Sequence, residues 1–377
     1  MRSGLVTLMN TSDNNNTPSF HPLAGLGFGP HVEDARLQAT ADDDTEVLRV
    51  VRVDADGCTL WGATGEVHAR TPKRVRRKEP PVVGDWVLTR IQRGELSVGS
   101  VLPRFTALTR RAADTTHRAQ VLAANVDLVL VCMGLDRDFR LPRLERWLSL
   151  VHAGGARPVV VLTKAGLIDE DEREARLAAA REVALGVSVI VLDVLDGIGC
   201  DELDEVLDQP HDWAKTLALV GSSGVGKSTL LNHLSGGETM PTGATSDAHG
   251  KGRHTTSHRE LFEIPGRALL IIDTPGLREV GLWGDAEGVE RTFADLVERA
   301  RDCRFGNCHH DGEPDCAIAA GIERGEVDPR RVDSWLGLQN EQRGTAHQLA
   351  EHERRAHERK FSKLIRTTMQ AKRGRKR

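Results

Sequence analysis

The chain has 377 residues, room for two to three domains at roughly 100–200 residues each. Its 39% hydrophobic and 28% charged residues exclude collagen-like, disulfide-framework and wholly disordered classes. With 51 Lys+Arg against 55 Asp+Glu, the formal charge is −4 and the pI near 6.4, which argues against coating nucleic acid or membrane by bulk charge but leaves local basic patches open.

Taken from the N-terminus, residues 1–44 are polar and small without sustained periodicity and predict a flexible arm. They hold no signal-peptide core, and no apolar run of about 18 residues occurs anywhere, so a cytoplasmic chain with no membrane span is expected. From Glu46 short β-like runs follow: EVLRVVRV, CTLWGA, EVHARTP and VVGDWVLTRI. Turn residues at Asp56-Gly57, Gly65, Pro80-Pro81 and Gly94 separate them, predicting a small all-β barrel or sandwich over 45–107. A basic run, Arg70, Lys73, Arg74, Arg76, Arg77 and Lys78, lies between two of these strands. It reads either as a solvated loop or as a phosphate-tracking surface. Trp61 is a candidate for base stacking, and Trp86 a core residue.

Over 108–300 apolar strands alternate with helical stretches: strands at 127–133, 158–163, 187–193, 216–221 and 268–273, helices around LPRLERWLSLVHAG, over 169–184 and opening at Gly226. This alternation predicts a parallel sheet covered on both faces. Near 289–300, Val289, Phe293, Leu296 and Val297 share one helical stripe that should pack on that sheet. Residues 301–377 begin with a cysteine cluster and end in KFSKLIRTTMQAKRGRKR, a basic tail without an acidic residue.

Gly221-Ser222-Ser223-Gly224-Val225-Gly226-Lys227-Ser228 matches G-x-x-x-x-G-K-[ST] between a predicted strand and a predicted helix, with Thr229 next. Glycines let the backbone wrap phosphates with successive N–H groups. Lys227 would reach the β- and γ-phosphates, and Ser228 would ligate Mg²⁺. Downstream, Asp273-Thr274-Pro275-Gly276 ends an apolar strand, placing Asp273 for Mg²⁺ and the Gly276 N–H for the γ-phosphate. Between them, GKGRHTTS over 250–257 suits a switch loop whose threonine ligates Mg²⁺. Spacing leaves Thr255 and Thr256 both open, and Thr256 is assigned to the metal. A guanine-reading Asn/Thr-Lys-x-Asp motif is missing after Asp273; the best match, Thr163-Lys164-Ala165-Gly166, precedes the phosphate loop. That order means circular permutation.

With these motifs the chain resembles the ribosome small-subunit-dependent GTPase A family, over approximately residues 46–365. The resemblance rests on VVGDWV, AANVDLVLV, LDRDFRLPRLERWL, PVVVLTKA, GSSGVGKSTLLN, GRHTTSHREL, IDTPGLREVGLW and CRFGNCHHDGEPDC. It implies an N-terminal OB-fold barrel, a circularly permuted P-loop GTPase domain and a C-terminal zinc-binding helical domain. It further implies GTP hydrolysis to GDP, late maturation of the small ribosomal subunit, contact with its rRNA, and a monomer. An RNA-binding assembly module with a weakly hydrolysing site, and a P-loop ATPase without a ribosomal role, are the competing readings.

Two positions depart from the family pattern. Gly166 stands where the guanine-reading Asp is expected, and Val191–Gly199 lacks the usual Ser-Ala. A missing carboxylate predicts weakened selection against adenine, which Gly166→Asp should sharpen. Leu277 stands where many G proteins carry a water-positioning Gln, and the resemblance implies that His254 takes that role.

Cys303-x4-Cys308-x-His310-x5-Cys316 supplies three thiolates and one imidazole, the ligand set of a closed structural zinc site. His309 competes for the imidazole position, and the family pattern selects His310. Cys58, Cys132 and Cys200 stand alone and are expected in cores.

Overall fold

The computed structural model describes residues 21–39, 45–111, 119–236, 259–273, 286–344 and 354. Helix α1 (Pro30–Gln38) starts with Pro in its first turn, where a missing N–H costs nothing. Leu23, Phe28, Val32 and Ala35 cluster there with Trp86, Leu88 and Leu102 of the following β region. Phe28 meets the Trp86 ring edge-on at 5.2 Å. Residues 21–39 thus pack as structure rather than extending as an arm. Their apolar residues are split between a short 3-10 turn, a loop and a helix, so no single period shows in the sequence.

Five strands then close a barrel: β1 (Glu46–Val53), β2 (Gly57–Gly62), β3 (Gly65–Arg70), β4 (Trp86–Gln92) and β5 (Glu95–Val101). They run β1-β2-β3-β5-β4, and β4 returns to β1 in the register Leu48↔Val87 and Arg49↔Trp86, so no edge is left open there. Leu48, Val50, Leu60, Ala69, Val87 and Val98 alternate inward to fill it. Between β3 and β4 the basic run folds as helix α2 (Lys73–Lys78), which buries Val75 and exposes its Lys and Arg residues.

After the separate hairpin β6 (Ala107–Arg111) and β7 (Ala119–Ala124), the chain builds a doubly covered sheet. Its elements are β8 (Leu128–Gly134), α3 (Leu141–Ala153), β9 (Arg157–Thr163), α4 (Glu170–Val183), β10 (Ser188–Leu192), α5 (Cys200–Leu207), β11 (Lys215–Val220), α6 (Lys227–Leu234), β12 (Glu260–Glu263) and β13 (Leu269–Asp273). The order is β10-β9-β8-β11-β13-β12, with the first five parallel and β12 antiparallel. All seven residues of β8 are buried, as a strand covered on both faces requires. The strand before the phosphate loop, β11, is central although it comes late in the chain, which is the permutation.

The barrel and the sheet are joined through Arg49. Its guanidinium, 1% exposed, donates to the Leu26 carbonyl, to Thr216 Oγ1 at 2.8 Å and to the Asn125 carbonyl at 3.2 Å, and lies 5.3 Å from the Trp86 ring centre. Burial lowers its pKa to about 10, still far above neutrality, so the buried group stays charged and depends on those acceptors. Gly84 is needed beside it. It has φ +90°, and a Cβ there would strike the Ala124 carbonyl.

The stripe of Val289, Phe293, Leu296 and Val297 falls on two short helices, α7 (Ala286–Thr292) and α8 (Ala294–Ala300), broken at Phe293. Rather than lying directly on the sheet, α7 packs on α3, with Gly288 against Ser149 and Ala153. Helix α9 (Ala317–Glu323) and a helical segment at 329–344 follow the cysteine cluster. Arg331 pins that segment to α3 and α8 through Glu145 and Asp295, each at 2.8 Å.

Candidate nucleotide site and metal cluster

The carboxyl ends of β8, β9, β10, β11 and β13 share one sheet edge, where open parallel sheets bind ligands. The phosphate loop leaves β11 there. Gly221, Gly224 and Gly226 have φ of +142°, +73° and +101°, conformations that L side chains rarely adopt. Gly221 also lies so close to the Cys132 carbonyl of β8 that no Cβ fits. Val225 is buried, while Ser223, Gly224 and Thr229 are exposed and Ser222 and Ser228 half-buried. Gly226 caps α6, and Lys227 at its first position folds back to donate to the Gly221 carbonyl at 2.8 Å and to the Ser222 carbonyl. Asp273 ends β13, the parallel neighbour of β11, on the same edge.

The Thr163–Gly166 loop leaves β9 beside it. Thr163 Oγ1 lies 2.6 Å from the Val225 carbonyl, tying this loop to the phosphate loop. Lys164, in the left-handed region at φ +62°, reaches Asp136 at 2.7 Å, and that contact holds the Asp136 carboxyl below its ordinary range. Ala165 is buried, and Gly166 donates its N–H to Asp193 Oδ2 at 3.0 Å. The fold therefore brings the Gly221–Thr229 loop, Thr163–Gly166 and Asp273 to one edge. His254, Thr256 and Gly276, with Thr255 and Leu277, lie outside the described residues.

Sequence reasoning missed three groups at this edge. Asp136 holds Lys164; Arg143 on α3 pairs with Asp138 and donates to Ser222 Oγ at 2.8 Å; Asp193 sits beside Gly166. For Asp136 the one signal was the charge density of Leu135–Phe139, which says nothing of which loop each charge faces; Arg143 and Asp193 lie outside that stretch and had none.

At the other end of the chain, the ligand atoms of Cys303, Cys308, His310 and Cys316 lie within 4.8 Å of one another. His310 Nδ1 is 3.6 Å from Cys303 Sγ and 3.5 Å from Cys316 Sγ, and those two sulfurs are 4.0 Å apart. Tetrahedral bonds of about 2.3 Å to sulfur and 2.0 Å to nitrogen imply edges of roughly 3.5–3.8 Å, so these spacings suit a single ion. His310 adopts φ +62° to turn inward and stacks on Trp335, while His309 is held through its backbone N–H by Glu313 at 2.7 Å. Of the lone cysteines, Cys58 and Cys132 are buried, and Cys200 is only partly buried at the start of α5. In the barrel, Trp86 is core at 1% exposure; Trp61 is half-buried, its indole N–H 3.4 Å from Glu66.

A family model described as RsgA GTPase matches residues 101–283. A protein of Syntrophotalea carbinolica named small ribosomal subunit biogenesis GTPase RsgA is 43% identical over 82% of this chain and 87% of its own length. One of the same name from Streptomyces avermitilis is 40% identical over 86% of each chain. The small ribosomal subunit biogenesis GTPase RsgA 2 of Vibrio parahaemolyticus is 37% identical over 98% of this chain and 96% of its own. Among solved structures, YjeQ from Thermotoga maritima superposes with a TM-score of 0.60 at 24% identity, covering 80% of this chain and 99% of that one. YloQ, described as a circularly permuted GTPase, gives 0.56 at 23%, covering 81% and 98%. With a permuted sheet carrying a phosphate loop at its centre, a closed five-stranded barrel before it and a Cys₃His cluster after it, the chain belongs to the RsgA GTPase family.

Proposed function

We propose that this protein hydrolyses GTP to GDP and phosphate while bound to the small ribosomal subunit, which stimulates its turnover and whose late maturation it assists. The observation that carries this reading is the convergence of the phosphate loop, Asp273 and the Thr163–Gly166 loop on one edge of the permuted sheet. The names of its relatives support the ribosomal part.

Backbone amides of Gly221–Ser228 cradle the phosphates, helped by the N-terminus of α6. Lys227 exchanges its contacts to the loop carbonyls for the β- and γ-phosphate oxygens. The Ser228 hydroxyl and the Asp273 carboxylate are hard oxygen donors suited to Mg²⁺, with Thr256 as a further ligand, and the ion supplies charge neutralisation on the phosphates. His254 orients the attacking water by accepting its proton in a hydrogen bond, and the Gly276 N–H steadies the γ-phosphate. Thr163, Lys164, Ala165 and Gly166 line the base end. Cys303, Cys308, His310 and Cys316 hold one Zn²⁺; four protein ligands close the site and make it a fold element. Residues 45–107 form the RNA-binding unit with α2 as its basic face, 108–300 the GTPase unit and 301–377 the zinc unit with its basic tail. The protein acts in the cytoplasm as a monomer.

Phosphate release from GTP and from ATP, each with and without purified small subunits, tests the reading. The expected result is GTP turnover raised by the subunit and lowered by His254→Ala with nucleotide affinity kept. Binding to the subunit without turnover would instead leave an RNA-binding assembly module.

A further inference from the structure

Gly166 stands where the base-reading carboxylate is expected, yet the space beside it is not bare. A Cβ built on Gly166 would collide with Asp196 Oδ2 and come within 3.2 Å of Asp193 Oδ2. Both aspartates sit on the next loop along the sheet edge, between β10 and α5. Because β10 pairs in parallel with β9 in the register Leu192↔Thr163, the two loops leave the sheet side by side.

The second loop is a closed turn. Asp193 and Ile198 exchange backbone hydrogen bonds, 2.9 Å each way, which leaves Val194, Leu195, Asp196 and Gly197 to form the tip. Gly199, at φ +69°, is packed on the Val191 carbonyl too tightly for any side chain. Asp193 is committed to anchoring: its Oδ2 accepts the Gly166 N–H at 3.0 Å and its Oδ1 the Leu195 N–H at 3.1 Å. Asp196 is exposed at the tip, with its carboxylate turned to the face of Gly166.

Resting on the nucleotide site described above, we propose that Asp196 reads the guanine edge in place of a side chain at 166, with Asp193 as the positioning residue that pins the loop to the Gly166 backbone. Guanine offers one carboxylate two adjacent donors, N1–H and the 2-amino group. Adenine sets an N1 lone pair against the same oxygens and is rejected by it. The missing Asp at 166 and the missing Ser-Ala in Val191–Gly199 then belong together. A second carboxylate at 166 would have to displace Asp196 and would repel it. Selectivity lost on one loop is restored from its neighbour.

Displacement of a fluorescent guanine nucleotide from the full-length protein by GTP, ATP and XTP tests this. The wild type should prefer GTP to ATP by at least about a hundredfold, as expected of a site built around hydrogen-bonded donors. Asp196→Asn should lower GTP affinity by roughly tenfold to a hundredfold, with ATP unchanged. It should also gain XTP, because an amide accepts from N1–H and donates to the C2 carbonyl. Adding Gly166→Asp to that variant should restore the preference for GTP, and Asp193→Asn should weaken discrimination without gaining XTP. A wild type that binds GTP and ATP alike, or an Asp196→Asn variant that still prefers GTP, overturns the proposal while the nucleotide site stands. A protein that displaces with none of the three overturns the nucleotide site itself.

Discussion

At the phosphate end of the sheet edge the groups on offer are backbone amides of Gly221–Lys227, held by glycines at positive φ, of which Gly221 leaves no room for a Cβ. At the base end they are side chains from separate loops: Lys164 on Asp136, and Asp193 beside Asp196 across from Gly166. A backbone cradle is fixed by local conformation, so its sequence pattern is strict and survives permutation of the chain. A side-chain reader needs only an oxygen at the right place, and any loop ending at that edge can supply it. The first kind of site is read from a motif and the second from an arrangement.

The sharpest way to separate the two ends is Lys227→Ala. Losing a charge-assisted contact to phosphate should weaken GTP and ATP equally, by about tenfold to a hundredfold. Titration with both nucleotides checks it, and a loss confined to GTP would break the division between the ends. Cys316→Ser comes next and should spare both ends. It removes a buried thiol of the Cys₃His cluster, so on the proposed zinc assignment bound zinc should fall from one equivalent toward none and the fold should lose about 2 kcal/mol or more. Metal analysis and urea unfolding measure this; retained stoichiometric zinc would remove Cys316 from the ligand set. The smallest effect is expected at the strut between the ends. Thr163→Val leaves the Val225 carbonyl without its donor, and should cost about 1 kcal/mol in urea unfolding. Affinity for both nucleotides should fall together, by less than about tenfold on that scale. A selective loss of GTP would place Thr163 with the base readers instead.

Much of the fold was legible because its signals are local. The apolar runs at β8, β9, β10, β11 and β13 are strands to within a residue or two, and Asp169 caps α4 by accepting the Glu172 N–H at 2.8 Å. Helix α2 was hidden because five of its six residues are charged, and only the burial of Val75 against the barrel gives it a face. Strand β12 is four residues long, too short for its alternation to register. The break between α7 and α8 at Phe293, where the backbone leaves helical geometry, leaves the apolar period intact, so no periodicity reports it.

By itself the sequence determined the three-part order of barrel, permuted sheet and cysteine cluster. It also determined the phosphate-loop motif and the Cys303, Cys308, His310 and Cys316 spacing, since each depends on residue type at fixed short spacing. Tertiary structure alone decided that Phe28 and Val32 cover the barrel at Trp86 and that Arg49 is buried between barrel and sheet. It alone set Asp196 against Gly166, thirty residues away in the chain. Those contacts join segments far apart in sequence. Their geometry comes from strand order and register, which no local pattern encodes.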